Sequence, residues 1–121
     1  MHTVAFFHGF AADAADAGMT EDEIENLVSF LSENPKVGDE IAGTGGCRKV
    51  RVAGRGKGKS GGYRIITFYS GEQIPLFLIT VFAKGELTDL SQLERNGLRV
   101  ITKAIVVEYR RRVAKLAKKG A

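Results

Sequence analysis

Residues 47–83 read CRKVRVAGRGKGKSGGYRIITFYSGEQIPLFLITVFA, and this stretch decides the fold. From Arg48 to Ala53, charged residues alternate with valines, which is the pattern of a strand with one solvent-exposed face. After a glycine-rich link, β-branched and aromatic residues dominate Tyr63 to Ser70 and again Gln73 to Ala83. The short Gly71-Glu72 connection between these two segments predicts a hairpin. The stretch therefore predicts three antiparallel strands.

The residues before this sheet predict a strand and one or two helices. Thr3 to Phe7 is a short apolar stretch that fits a strand, and the alanine-rich segment Ala11 to Ala17 favours a short helix. Thr20 and Glu23 have the spacing of a capping box, and Asn34-Pro35 ends the helix that follows. The apolar stripe of that helix consists of Ile24, Leu27, Val28 and Leu31.

A last helix is predicted from about residue 91 towards the lysines near the end. Ser91 and Glu94 repeat the capping-box spacing, and Leu98, Ile101 and Ile105 supply apolar positions at helical intervals. Residues 1–121 therefore predict a single α+β domain. It has an N-terminal strand, one or two helices, a three-stranded antiparallel meander and a basic C-terminal helix.

The charges are segregated along the chain, although the net charge is only +4. Met1 to Glu40 holds nine acidic residues and one base, whereas the segment from Arg95 onward holds nine bases and one acid. Between them, Ile41 to Gly71 has no acid and seven bases, which are Arg48, Lys49, Arg51, Arg55, Lys57, Lys59 and Arg64. Such a cluster attracts polyanions, because each base near a phosphate releases counterions. The alternative is a solvated basic loop.

The composition indicates in which cellular compartment the protein works and whether it spans a membrane. A single cysteine, Cys47, excludes an internal disulfide and a cysteine-based zinc site, which suits a reducing compartment. No stretch approaches the roughly 18 consecutive apolar residues that a membrane-spanning helix needs. The N-terminus also lacks the features of a signal peptide. We therefore expect a cytoplasmic protein that does not bind a membrane.

Two familiar kinds of site do not fit the sequence. The run Gly54 to Gly62 contains Gly58-Lys59-Ser60, the end of a nucleotide-binding loop pattern, but Ala53 stands where the first glycine of that pattern is needed and a β-rich segment follows. The only histidines, His2 and His8, have no metal-ligand spacing around them. We therefore expect neither a bound nucleotide nor a metal or other cofactor.

RNA cleavage is a reaction that a cluster of bases without carboxylates can perform. The 2′-hydroxyl of RNA can attack the adjacent phosphate when a protein positions it and stabilises charge. A lysine among other cations has its charged form disfavoured, so neutral Lys49 is the candidate base. Arg51 and Arg64 stay protonated and are candidates for clamping the phosphate.

Several short motifs together resemble the RelE/HigB toxin superfamily, from about the first strand through Glu94. The N-terminal half carries Gly18-Met19-Thr20, Asn34-Pro35, Gly38-Asp39 and Gly43-Thr44-Gly45-Gly46. More specific are Cys47-Arg48-Lys49-Val50-Arg51, Gly56-Lys57-Gly58-Lys59-Ser60-Gly61-Gly62-Tyr63-Arg64, Lys84, Asp89-Leu90-Ser91 and Glu94.

The resemblance implies a compact toxin that enters the ribosomal decoding site and cuts the exposed messenger RNA. A cognate antitoxin, expected to be of the helix-turn-helix type, would wrap the same basic surface and provide the only connection to DNA. The catalytic cations of the family map onto Lys49, Arg51 and Arg64. Lys84 falls beside the position at which relatives carry another arginine. The further RNA-binding candidates are Arg48, Arg55, Lys57, Lys59, Tyr63 and Lys84.

Two other functions remain open at the level of sequence. A catalytically inactive member of the same fold would bind RNA or the ribosome with the same basic surface and make no cuts. A purely structural partner protein would show little salt dependence of RNA binding. For Tyr63, stacking on a nucleobase competes with a simpler role, because aromatic residues in strands usually pack in the core.

Overall fold

The computed structural model describes residues 1–54, 62–83 and 90–120. Its elements are β1 (Val4–Phe6), α1 (Phe10–Asp16), α2 (Glu21–Glu33), β2 (Asp39–Glu40), β3 (Cys47–Val52), β4 (Tyr63–Phe68), β5 (Leu76–Ala83) and α3 (Gln92–Gly120). The strands form one sheet of order β1-β5-β4-β3-β2, in which β1 runs parallel to β5 and the other pairs are antiparallel. The predicted α+β class and the meander β3-β4-β5 are confirmed.

The start of α2 follows the predicted capping box. The Thr20 hydroxyl accepts a hydrogen bond from the Glu23 N–H at 3.1 Å, and the Thr20 N–H donates to the Glu23 carboxylate at 2.9 Å. These bonds satisfy two backbone donors that a helix start would otherwise leave open. Leu27 and Leu31 of the predicted stripe are buried, so the helix lies with this face on the sheet.

The sheet separates two apolar cores, because successive side chains of a strand point to opposite faces. Val50 and Ile65 belong to the core beneath α1 and α2, together with Leu27 and Leu31. Ile66 and Cys47 point the other way and belong to the core beneath α3. We refer to these surfaces as the α1/α2 face and the α3 face of the sheet.

The Gly-Thr-Gly-Gly turn at residues 43–46 anchors α3 to the start of β3. Its buried Thr44 hydroxyl donates to the Ile41 carbonyl at 2.6 Å and accepts from the Cys47 N–H at 3.1 Å. The Thr44 carbonyl accepts from the Thr102 hydroxyl of α3 at 2.9 Å. Gly45 has a φ of +78° and lies against Thr102, where a Cβ would come within 2.7 Å of the hydroxyl.

The structure differs from the sequence expectation at two strands. The two-residue β2 was not predicted, because so short a strand carries no periodic signal. β4 and β5 form the predicted antiparallel hairpin, but β5 begins at Leu76 instead of Gln73 and the connection spans residues 69–75 instead of two residues. Pro75 cannot donate to a strand ladder, and the first β5 backbone bond beyond it runs from the Leu76 N–H to the Thr3 carbonyl at 2.9 Å.

The last helix extends to the lysines near the end, as the sequence predicted. α3 is 29 residues long, and Ser91 and Glu94 form both bonds of the capping box at its start. Hydrogen bonding by Ser91, first from its backbone N–H and then from its side chain, lowers the pKa of the Glu94 carboxyl. Among the described helices, none combines the length and the apolar composition needed to cross a membrane.

Burial makes Cys47 an unreactive thiol. Its side chain lies in the core beneath α3, and this burial raises the pKa of Cys47 from 9.0 to about 11, partly offset by the Thr44 hydrogen bond. At pH 9, we expect iodoacetamide to alkylate the native chain at least about 100-fold more slowly than the urea-unfolded chain. Because the folded pKa is the higher one, stability should also fall as the pH rises from about 9 towards 11. Equal alkylation rates in both states would contradict this assignment.

Candidate functional site

The pairing of β3 with β4 brings the three predicted catalytic cations onto one surface. Arg51 is the direct partner of Arg64, and Lys49, two residues before Arg51, is the partner of Ile66. Directly opposed residues of antiparallel strands share a face and place their Cβ atoms about 5 Å apart. Ile66 belongs to the core beneath α3, so Lys49, Arg51 and Arg64 all lie on the α3 face. We call these three residues the cationic triad.

The cationic triad is not neutralised by an ion pair within the part of the chain that the structure describes. Within residues 1–54, 62–83 and 90–120, none of the three side chains forms a hydrogen bond or an ion pair. Arg51 is exposed, whereas Lys49 and Arg64 are half-buried. Like charges directly opposite one another destabilise a sheet. Repulsion between Arg51 and Arg64 therefore lowers the stability of the sheet. An anion bound between the two guanidiniums would remove this repulsion.

The structure also brings a carboxylate to this surface, which the sequence analysis missed. Asp39 of β2 is the direct partner of Lys49 in β3, so the two side chains share the α3 face. Asp39 lies just before the acid-free segment Ile41 to Gly71 and ten residues before Lys49, so the sequence alone does not place it beside the bases. The sequence signal for this pairing is the glycine-rich turn at residues 43–46, because such a turn allows β2 and β3 to run antiparallel to each other.

Arg48 lies on the other face of the same strand, as the alternation predicted. Its guanidinium donates to the Lys36 carbonyl at 3.0 Å and to the Gly38 carbonyl at 3.3 Å, and it pairs with the Glu40 carboxylate at 3.2 Å. The side chain is only 20% exposed. These contacts hold the segment before β2 in place, so the structure assigns Arg48 to the fold and separates it from the triad.

Replacing Arg48 by alanine should therefore affect stability more than RNA chemistry. Two carbonyl hydrogen bonds and a partly exposed ion pair are lost, which together should cost about 1–2 kcal/mol of unfolding free energy. Urea denaturation measures this loss, and RNA cleavage below the denaturation range should stay within about threefold of the wild type. A folded Arg48→Ala variant that binds RNA weakly would instead favour the RNA-binding role predicted from sequence.

Tyr63 is buried on the α1/α2 face and does not accompany the cationic triad. The residue is 1% exposed, and its hydroxyl donates to the Gly18 carbonyl at 3.2 Å and to the Glu23 carboxylate at 2.9 Å. Burial, followed by the hydrogen bond and charge of Glu23, raises the pKa of Tyr63. The ring has no open side for a nucleobase, so the expectation of stacking is corrected to a core role that joins β4 to α2.

The other RNA-binding candidates, Arg55, Lys57, Lys59 and Lys84, lie outside the described residues. Next to the gap after residue 54, a cleft of about 600 Å³ opens between α2 and the end of β3. Asn26 and Phe30 line it on the helix side, and Arg51 borders it on the sheet side. Among the described residues, β2 pairs with Arg48 and Lys49 of β3 and does not extend along the strand to Arg51.

One comparison with known proteins bears on this arrangement. The family model described as the RelE toxin of the RelE / RelB toxin-antitoxin system matches residues 39–121, which is more than half of the chain. The matched range contains β2 to β5 and α3, and hence the cationic triad and Asp39. Membership of such a family implies an antitoxin partner. This chain belongs to the RelE toxin family and is the toxin of a toxin-antitoxin system, as its sequence motifs had indicated.

Proposed function

We propose that this toxin is a ribosome-dependent endoribonuclease that cuts messenger RNA with the cationic triad and without a metal ion. The observation that carries the proposal is the direct opposition of Arg51 and Arg64, neither of which has an ion-pair partner within residues 1–54, 62–83 and 90–120. Two guanidiniums can each present paired N–H donors to phosphate oxygens, a geometry that lysine does not offer. The RelE family match supports the choice of RNA over other polyanions.

The proposed reaction uses the 2′-hydroxyl of RNA as its nucleophile. Lys49, as the neutral amine, takes the proton from that hydroxyl while the oxygen attacks the adjacent phosphorus. Arg51 and Arg64 hold the non-bridging oxygens and stabilise the additional negative charge of the transition state. The bond to the 5′-oxygen breaks, and that oxygen takes up a proton from solvent. The products are a 2′,3′-cyclic phosphate and a 5′-hydroxyl, so no external nucleophile is consumed.

Lys49 has charged neighbours of both signs on the α3 face. Asp39 lies beside Lys49 on β2, and the arginine pair lies two residues further along β3. An incoming phosphate adds further negative charge. We therefore assign proton transfer and charge stabilisation to the triad as a unit, with Lys49 at the attacking oxygen.

The chemistry of the cut ends tests the proposal. The chain is added to a translation extract that contains a reporter messenger RNA, and cuts are mapped by primer extension. We expect cuts only during translation, ending in a cyclic phosphate and a 5′-hydroxyl. A 5′-phosphate would show that water was the nucleophile and would refute the mechanism. Equal cutting of naked RNA would refute ribosome dependence.

The alternative function is a catalytically inactive binder of RNA or the ribosome. The same basic surface supports it, since the electrostatics of binding do not require cleavage. The same extract distinguishes the two: salt-sensitive sedimentation with ribosomes but no cuts would favour the binder. Cuts that disappear in the Lys49→Ala variant would favour the nuclease.

A further inference from the structure

The outer surface of α3 carries an apolar stripe that nothing in the described chain covers. Leu93, Val100 and Val107 are 81%, 68% and 52% exposed. Gly97 and Ala104 lie between them and are also exposed. The intervals alternate between four and three residues, which is the spacing of the seam of a coiled coil. This stripe is separate from the buried face of α3, where Leu98 and Thr102 meet the sheet.

An apolar groove adjoins the stripe. It has a volume of about 480 Å³ and lies between α3 and the sheet, with Val100 and Ala104 on its helix wall and Phe7 and Phe77 opposite them. Stripe and groove therefore form one continuous apolar surface along the flank of α3. A contiguous surface of this kind on a soluble domain marks an interaction site. The heptad spacing and the small side chains of Gly97 and Ala104 suit the close approach of another helix.

The charges along α3 determine which kind of partner helix can bind to the stripe. From Arg95 to the end, the chain has nine bases against Glu108 alone, and Glu108 already pairs with Arg111 and Arg112. Arg99 and Lys103 flank the stripe, and Arg111, Lys115 and Lys118 continue it beyond Val107. A second copy of the chain would place two such helices side by side and would suffer like-charge repulsion. An acidic helix would gain attraction along the same length.

We propose that the stripe and groove on α3 are the docking site for an acidic amphipathic helix of the antitoxin. Apolar side chains of that helix, at alternating three- and four-residue intervals, lie on Val100 and Ala104 and reach into the groove. Its carboxylates pair with the bases that flank and follow the stripe. The site is on the outer side of α3, whereas the cationic triad lies on the sheet beneath. The proposal rests on the antitoxin partner and does not depend on RNA cleavage.

The first test uses the full chain and a synthetic probe. The probe is a helical peptide of about four heptads with leucine at the seam positions and glutamate on the flanks, compared with a matched peptide that carries lysine on the flanks. Binding is measured by fluorescence anisotropy for two variants with nearly equal starting exposure. Val100→Glu changes the stripe, and Leu116→Glu changes a residue of the same helix that is 69% exposed but points elsewhere.

We expect the glutamate peptide to bind and the lysine peptide not to bind. Val100→Glu should raise the dissociation constant at least about tenfold and Leu116→Glu less than about threefold. The Ala104→Gln variant, which blocks close approach without adding charge, should act like Val100→Glu. Equal losses for Val100→Glu and Leu116→Glu, or equal binding of both peptides, would overturn the proposal. Self-association of the chain that Val100→Glu abolishes would assign the stripe to a second copy instead.

The second test uses the cognate antitoxin in growing cells. Co-expressed antitoxin should neutralise the wild-type toxin and the Leu116→Glu variant, but it should leave the Val100→Glu variant toxic. Full neutralisation of a toxic Val100→Glu variant would contradict the docking site. If the wild type arrests growth without cutting messenger RNA, the nuclease proposal fails while the neutralisation result still decides the docking proposal.

Discussion

The Arg64→Ala variant should cleave messenger RNA at least about 100-fold more slowly than the wild type, because the proposed mechanism then loses one of the two guanidiniums that stabilise its transition state. The stability of the folded variant should hardly differ from that of the wild type. Arg64 has no hydrogen bond or ion pair among the described residues, and its removal relieves the repulsion from Arg51. We expect its free energy of unfolding to stay within about 1 kcal/mol of the wild-type value. Primer extension in a translation extract and urea denaturation measure the two quantities.

An arginine elsewhere on the surface provides the control for this variant. Arg110 of α3 is exposed and lies far along the helix from its start near residue 92. Arg110→Ala removes the same charge, so it should lower cleavage only by the few-fold expected from weaker long-range attraction. Equal losses in Arg64→Ala and Arg110→Ala would mean that general charge, and not the triad, drives the reaction. A loss of stability of several kcal/mol in Arg64→Ala would show that the side chain serves the fold.

The Gly38→Ala variant should lose about 2–4 kcal/mol of unfolding free energy, because backbone strain and overpacking act together. Gly38 has a φ of +98°, and a Cβ there would lie 2.6 Å from the Lys49 carbonyl oxygen and 2.9 Å from a methyl group of Val50. The nearest atom belongs to the backbone of β3, so no side-chain rotation relieves the contact. The chain must shift where Asp39 and Lys49 pair, and we expect RNA cleavage to fall as well.

The Gly43→Ala variant separates the effect of backbone strain from the effect of overpacking. Gly43 has a similar φ of +79°, but a Cβ at this position meets no atom within 4 Å. Gly43→Ala should therefore cost only the strain of a left-handed alanine, about 1 kcal/mol. Chemical denaturation of both variants gives the difference directly. If the two variants lose the same stability, the contact with Lys49 is unimportant and β2 does not hold that residue in position.

Features that depend on neighbours in the chain could be predicted from the sequence. Both capping boxes formed as expected, because each joins a hydroxyl and a carboxylate three residues apart. The alternation of β3 correctly separated Arg48 from Lys49 and Arg51, since a strand has a period of two. The convergence of these two residues with Arg64 followed once the next strand was paired antiparallel to β3.

Features that join distant parts of the chain could not be predicted in this way. Tyr63 meets Glu23 forty residues earlier, so its burial depends on the packing of α2 against β4. Asp39 reaches Lys49 only because β2 forms, and β2 has two residues. The exposure of Val100 could not be read from the helical pattern, because α3 has two apolar faces and only one of them meets the sheet.

The central claim is that Arg51 and Arg64 act on one phosphate as a unit. A double-mutant cycle tests it most directly: cleavage rates are compared for wild type, Arg51→Gln, Arg64→Gln and the double variant. We predict a double variant about as slow as the slower single variant, with a coupling free energy of at least about 1 kcal/mol. Losses that simply multiply would mean that the two arginines act independently, and the proposed phosphate site would then be wrong.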